Sequence, residues 1–551
     1  MKIYTTLENN KSSFKSATIN INALSDTHGE LMLANGALET IRENQADIFC
    51  PEKKTGSRNI LAICGDWYMD GGKTGYKSDE QKKLGYFQSE MLDGFIKGVK
   101  EIAKDTIALF TPGNHEFDGG VPLLDDVMSR MDAEIIMTNL NIEKSNGFQK
   151  TKAENKLVNQ YILEVEDDKN VELKHKVLFL GISPVNLLFY QKNLSGIKMI
   201  NNMLKPQAKI TKEDYEKTLF ECKERIKDFK NENPKGIVVL MSHTGVEFAD
   251  NLAKEAPVDI VFDGHEHKDK IRESNGTPIV PLSMNFKKIV NAKLNIDDDG
   301  ELKSITFNNI YPEKTNHTGI LSELHKKMFN EDLKEKYVLK SRDEGVKVLG
   351  LSGIREGNNY LANFVTDSIL EELQKKDKNI NFFALNASAI RHPLNLGDKP
   401  CVSPFDVMNV LVGIKEEDGK IMTTDLYGED IVYIVLDNIL FNSEMPKKNP
   451  LVHYAGLEID KTKMFEAYNS GADLSELSHY VKDIKTGKPV DISAKYRIAN
   501  VEKYFNKSQN PQIKAIKHIS NYTGDTVQDL FKQHFENSDG NLIAKCDVRI
   551  K

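Results

Sequence analysis

Seven residues of kinds that bind metal ions stand in five short stretches of this chain: Asp26 and His28; Asp66; Asn114; His243; and His265 with His267. Carboxylate oxygens, an amide oxygen and imidazole nitrogens, with no thiolate among them, suit Mn²⁺, Zn²⁺, Fe or related ions better than a structural zinc. Seven ligands are too many for one tetrahedral ion, but they suit two ions that share a bridging carboxylate. Two ions about 3.5–4 Å apart form the clamp used for in-line displacement at phosphorus. Each fragment alone is weak, because an isolated D-x-H or H-x-H is most often solvated surface. The signal lies in their joint order. Other histidines, such as His175, His325 and His479, have no comparable neighbours and are expected to be structural or exposed.

Each stretch follows an apolar run of strand type. Ile19, Ile21 and Ala23 lead into Asp26, and Asn59 to Ile63 lead into Gly65-Asp66. Thr106 to Phe110 lead into Gly113-Asn114-His115, Ile237 to Met241 into His243, and Val258 to Phe262 into Gly264-His265. In open α/β sheets, ligands collect beyond the carboxyl ends of strands. Five such loops on one edge of a sheet would converge. Leu84, Phe87, Met91, Phe95, Val99 and Ile102, at steps of three or four, predict an amphipathic helix packed on that sheet.

A chain of 551 residues is too long for one core, so two domains are expected. A polar, charged stretch over 313–345 predicts a partly helical linker between them. The net charge of −8 leaves no basic footprint for a nucleic acid polymer. The 5 cysteines are scattered and form no C-x-x-C pair, so they are expected to be reduced and mostly buried. The N-terminus has no apolar core of signal-peptide length, and no stretch approaches the roughly 18 apolar residues of a membrane span. These readings predict a cytoplasmic protein with no membrane span. They leave the oligomeric state open.

The order D-x-H, G-D, G-N-H-E, a strand-terminal His, then G-H-x-H resembles the signature of the calcineurin-like metallophosphoesterases. Within them, Gly113-Asn114-His115-Glu116-Phe117-Asp118 resembles the G-N-H-E-F-D block of the 5′-nucleotidase family. The resemblance implies an α/β chain whose N-terminal domain, 1–312, is a β-sandwich flanked by helices in four layers, αββα. A second α/β domain, 346–551, would bind substrate. It further implies that Asp26, His28 and His267 hold one divalent ion, that Asn114, His243 and His265 hold the other, and that Asp66 bridges them. His115 would face the substrate phosphate with Asp118 orienting its ring, and water activated by metal would be the nucleophile. One departure is Trp67, beside Asp66, where the family carries small residues. It fits core packing best, with a narrowed site mouth as the other reading.

The C-terminal half carries a thinner resemblance. Arg355-Glu356-Gly357-Asn358 with Leu361 to Asp367 is similar to the start of the family's second domain, and Asn386-Ala387-Ser388-Ala389-Ile390-Arg391 to its N-G-G-G-I-R segment. There the Asn and Arg help to hold substrate, so Asn386 and Arg391 are candidates, and a guanidinium grips phosphate in a fork. Phe405, Tyr504 and Phe505 are candidates to stack on a base. The expected activity is release of phosphate from nucleotides, a step of nucleotide catabolism, with domain closure bringing base and phosphate sites together. Hydrolysis of 2′,3′-cyclic nucleotides or other diesters is the alternative within enzymes, and a non-catalytic scaffold is the alternative outside them.

Overall fold

The computed structural model describes residues 15–27, 31–50, 56–67, 79–117, 120–184, 212–266, 270–284, 286–312, 321, 336–343, 345–351, 353–354, 359–411, 414, 419–444, 452–501, 516, 519–547 and 549–550. The chain divides into two compact units, Met1–Asp332 and Leu333–Lys551.

In the first unit, one sheet holds β1 (Lys15–Leu24), β2 (Ser57–Ile63), β3 (Ile107–Phe110), β4 (Glu134–Ile136) and β5 (Leu157–Val158). The other holds β6 (Tyr161–Glu166), β7 (Lys174–Ile182), β8 (Ile237–Ser242), β9 (Ile260–Asp263), β10 (Arg272–Ser274) and β11 (Thr277–Pro281). The hairpin of β12 (Ile289–Asp297) and β13 (Leu302–Ile310) completes the first sheet. Among the described residues the strand orders are β13-β12-β1-β2-β3-β4-β5 and β10-β11-β9-β8-β7-β6. Strands β1 to β5 run parallel, as do β7, β8, β9 and β11, with antiparallel partners toward the margins.

Side-chain alternation explains the layering. Ile19, Ile21 and Ala23 of β1 share one buried cluster with Val177 and Phe179 of β7, Val239 and Met241 of β8, and Phe262 of β9. That cluster is the sandwich interior. The alternate residues Leu178, Leu180, Val238, Leu240 and Val261 pack with Cys222, Ile226, Phe248 and Leu252 of the helices that cover the second sheet. A strand buried on both faces reads as a continuous apolar run, which is why β7, β8 and β9 stand out in the sequence.

Among the described residues, the longer helices of this unit are α1 (Leu31–Glu43), α2 (Asp79–Ile102), α3 (Val121–Arg130), α4 (Lys212–Glu232) and α5 (Val246–Glu255). Of the stripe expected on α2, Met91, Phe95 and Val99 are fully buried and Ile102 is half-buried, while the side chains of Leu84 and Phe87 lie outside the described residues. The other face of β1 and β2 carries Asn20, Asn22 and Asn59, all buried. Asn22 donates to the Ile48 carbonyl at 3.2 Å, and Asn59 accepts from the Cys50 amide at 2.7 Å. Those amides satisfy a loop backbone that would otherwise lie unpaired against the sheet.

The strands of the second unit are, in chain order, β14 (Val338–Ser341), β15 (Ile380–Asn386), β16 (Lys420–Tyr427), β17 (Val452–Ala455), β18 (Lys495–Val501), β19 (Asn521–Thr526) and β20 (Asn541–Ala544), with shorter pairings beside them. Five of these strands form a mixed sheet in the order β17-β15-β18-β16-β19. Around it lie α6 (Tyr360–Lys376), α7 (Pro404–Val410), α8 (Gly428–Glu444) and α9 (Val527–Glu536). Of the stretch expected to be a linker, 313–320, 322–335 and 344 lie outside the described residues. Val338–Ser341 differ from that expectation. They form β14, parallel to β20, because their backbone finds partners some 200 residues later. None of the five cysteines is in a disulfide; Cys50, Cys64 and Cys222 are buried and the other two are half-buried.

Candidate metal centre

The five motif loops leave the carboxyl ends of β1, β2 and β3 in one sheet and of β8 and β9 in the other. They therefore come from two facing sheets, and not from the single sheet edge that the sequence suggests. The sandwich interior brings those ends together.

Three of the candidate ligands sit on unusual backbone. Asp26, Asp66 and His265 have φ of +53°, +50° and +74°, a region that side chains other than glycine seldom occupy. Such strain persists only where the surroundings over-determine it, and it gathers at functional sites. The surroundings are visible here. Asp26 accepts the His265 amide at 3.0 Å, and Asp66 accepts the His115 amide at 2.8 Å. Each carboxylate is thus pinned by the backbone of another loop. The glycines of the motifs leave the room this needs, since a Cβ on Gly113 would collide with the Asp66 carboxylate and one on Gly264 with Ser25.

His243 is fully buried. Its Nδ1 lies 2.6 Å from the Cys64 carbonyl oxygen, which can only accept, so Nδ1 carries a proton. Nε2 faces the carboxylates, 3.0 Å from Asp66 Oδ2 and 3.9 Å from Asp26 Oδ1. A hydrogen bond that fixes the tautomer from behind is the usual companion of a metal-ligating histidine. The His265 ring stands edge-on to it at 5.3 Å between centroids. Ligand atoms of Asp66, His243 and His265 all lie within 4.8 Å of one another. Oxygen and imidazole donors converging in a buried pocket fit a divalent cation.

The electrostatics agree. Burial opposes charge on His243, but the Asp66 and Asp26 carboxylates outweigh it and hold its pKa at about 10. Burial raises the Asp263 carboxyl to about 7 against the pull of Ser242 and His243. Burial, with Asp263 and Asp26 nearby, pushes the Cys64 thiol well above its ordinary value, so it is a structural thiol. Negative charge is concentrated here beyond what one histidine balances.

Asn114 is buried beside Asp66 in the same loop cluster, and His115 is half-buried. His28, His267 and Asp118 lie outside the described residues. Trp67 is core: it is fully buried, with its ring 5.2 Å from Phe95 and 5.6 Å from Phe286. It does not narrow a site mouth. Two participants have no place in the sequence reading. Ser25 donates to the Cys64 carbonyl at 2.6 Å. Glu116, although inside the G-N-H-E block, has a buried carboxylate that accepts backbone amides. A glutamate fully inside a motif loop was the signal available.

In the second unit, Asn386 ends β15 and is buried, and its Oδ1 has no hydrogen-bond partner among the described residues. Arg391, half-buried, donates from Nε to the Ser388 carbonyl at 3.1 Å. Phe405 lies on α7, but its side chain, like Tyr504, Phe505 and the segment Arg355 to Asn358, lies outside the described residues. The similar segment Leu361 to Asp367 lies on α6, which Asn359 caps by accepting the Ala362 amide at 2.9 Å.

A sequence model described as calcineurin-like phosphoesterase matches residues 19–269. No curated protein matches the chain by sequence. Among solved structures, a 5′-nucleotidase precursor from Thermus thermophilus superposes with a TM-score of 0.60 at 15% identity, covering 97% of this chain and 99% of that one. The sulfate thiohydrolase SoxB of the same organism does so with a TM-score of 0.58 at 12% identity, covering 98% and 97%. At such identities the likeness is one of fold, and it extends over both units. The matched span contains every candidate ligand from Asp26 to His267, so residues 19–269 carry a calcineurin-like phosphoesterase domain, and that domain supports a metal-dependent phosphoester hydrolase.

Proposed function

We propose that this protein releases phosphate from small phosphate esters, nucleotides foremost, with two divalent cations at the ends of β1, β2, β3, β8 and β9. The observation that carries the reading is the convergence of Asp66, His243 and His265, with the His243 tautomer fixed by Cys64. Asp26, His28 and His267 would hold one cation, Asn114, His243 and His265 the other, and Asp66 would serve both. Bound there, the cations would neutralise phosphoryl oxygens and lower the pKa of water toward neutrality.

The chain's own residues do the rest. Asp26 and Asp66, pinned by the His265 and His115 amides, present carboxylates that need not reorganise. The His115 backbone is held by Asp66, and its side chain is half-buried. That position suits a proton donor to the leaving oxygen, with Asp118 orienting the ring. Nucleotides are favoured by the resemblance of the G-N-H-E-F-D block and of both halves to the 5′-nucleotidase family. Asn386, whose buried carbonyl oxygen has no donor among the described residues, and Arg391 are proposed to bind substrate in the second unit. The fold alone does not choose the substrate, since the sulfate thiohydrolase shares it.

The test is phosphate release by Mn²⁺-loaded protein from a panel of nucleoside mono-, di- and triphosphates, cyclic nucleotides and sugar phosphates, with His115→Ala as control. Turnover on nucleotides that the control lacks is the expected result. Release only from cyclic nucleotides would move the reading to a diesterase. No release from any of them by metal-loaded protein would sink it.

A further inference from the structure

Glu116 is 1% exposed, yet it is a carboxylate. A buried charge needs compensation, and here it comes from the backbone of two loops. Oε2 accepts the Asp66 amide at 2.8 Å and the Gly113 amide at 2.5 Å, and Oε1 accepts the Trp67 amide at 2.7 Å. The same segment reaches Asp66 a second time, through the His115 amide on its Oδ1. Asp66 is therefore gripped at its backbone by Glu116 and at its side chain by His115, while its φ of +50° lies where an aspartate is seldom stable. Charge-assisted bonds from a carboxylate to backbone amides are about twice as strong as neutral ones. Three of them converge on the strained residue and on its immediate surroundings.

We propose that Glu116 is a positioning residue that holds Asp66 in its left-handed backbone geometry, so that cation affinity depends on Glu116 although its own oxygens are turned to backbone amides. The inference rests on the reading of Asp66 as a cation ligand. Without the acceptor, the amides of Asp66, Trp67 and Gly113 are left buried with no partner, and relaxation of the loop toward ordinary φ swings the Asp66 carboxylate away from His243. A glutamine keeps the shape but offers one carbonyl oxygen, so at least one amide faces an NH₂ group. An aspartate keeps the charge but withdraws it by one methylene.

The experiment is calorimetric titration of the full-length, metal-free protein with Mn²⁺, for wild type, Glu116→Gln, Glu116→Asp and Asp66→Asn. Melting curves of the metal-free forms and kcat for 4-nitrophenyl phosphate at saturating Mn²⁺ are measured alongside. Loss of a residue that orients a metal ligand typically weakens binding about 10- to 100-fold, and that loss is expected for Glu116→Gln with kcat recovering as Mn²⁺ saturates. Glu116→Asp should fall between it and wild type, and carries the test if the glutamine form does not fold. A Glu116→Gln protein that melts earlier but binds Mn²⁺ as tightly as wild type, while Asp66→Asn does not bind, would overturn this inference alone. A wild type that binds no Mn²⁺ would overturn the cation-site reading and this inference with it.

Discussion

The Nδ1–H of His243 donates to the carbonyl oxygen of Cys64 across 2.6 Å, and that bond decides which ring nitrogen faces Asp66. In the metal-free protein burial disfavours the charged ring, but Asp66 and Asp26 prevail and raise its pKa from 6.5 to about 10. A cation taking Nε2 must displace that proton. Apparent Mn²⁺ affinity should therefore climb with pH through the neutral range, about tenfold per unit for one displaced proton. Calorimetry at pH 7.5 in buffers of different ionisation enthalpy should count one proton released from this ring. Affinity that does not change between pH 6 and 9 would contradict it.

The same shift has a consequence for stability, and its sign follows from linkage. A histidine whose folded pKa is raised stabilises the fold fully below pH 6.5, and that contribution is lost as pH rises through about 10. Asp263 adds to the trend. Its carboxyl is raised from 3.8 to about 7, mainly by burial, so the folded state binds the proton more tightly and stability falls as pH climbs across that interval. Asp263→Asn should flatten this part of the profile and stabilise the metal-free protein at pH 8 more than at pH 4. Urea titrations of both proteins at the two pH values decide it, and equal effects would show that Asp263 titrates normally.

Gly113 is one of the tight points of the loop cluster. A Cβ there meets the Asp66 carboxylate, its amide nitrogen and the His243 ring. Gly113→Ala should cost about 1–3 kcal/mol of folding stability, as overpacking does, and should abolish Mn²⁺ binding because Asp66 must move. Denaturant unfolding and the Mn²⁺ titration read the two effects separately.

Trp67 packs against Phe95 and Phe286, and Phe286 itself has a φ of +50°. Trp67→Ala should cost about 3–5 kcal/mol, whereas Trp67→Phe should leave KM unchanged. A KM that shifts in the phenylalanine variant without loss of stability would return Trp67 to the substrate path.

Much of the candidate site was legible because its chemistry is local. Ligand-type side chains directly after β-branched runs mark strand ends, and Asp26, Asp66, Asn114, His243 and His265 all fall there. The division of their loops between two sheets was not legible, since alternation along β1 or β8 tells which residues are buried but not which strand lies alongside. Glu116 escaped for a different reason. Its partners are backbone amides of Asp66, Trp67 and Gly113, which have no side-chain pattern to read. β14 was hidden likewise, because what orders Val338–Ser341 is Asn541–Ala544 at the far end of the unit.

The most direct test of the cation site is crystallographic. Crystals of the protein loaded with Mn²⁺ should show, in data collected at the manganese absorption edge, two anomalous peaks about 3.5–4 Å apart with the Asp66 carboxylate between them and His243 Nε2 on one of them. A single peak, or peaks away from Asp66 and His243, would contradict the two-cation account.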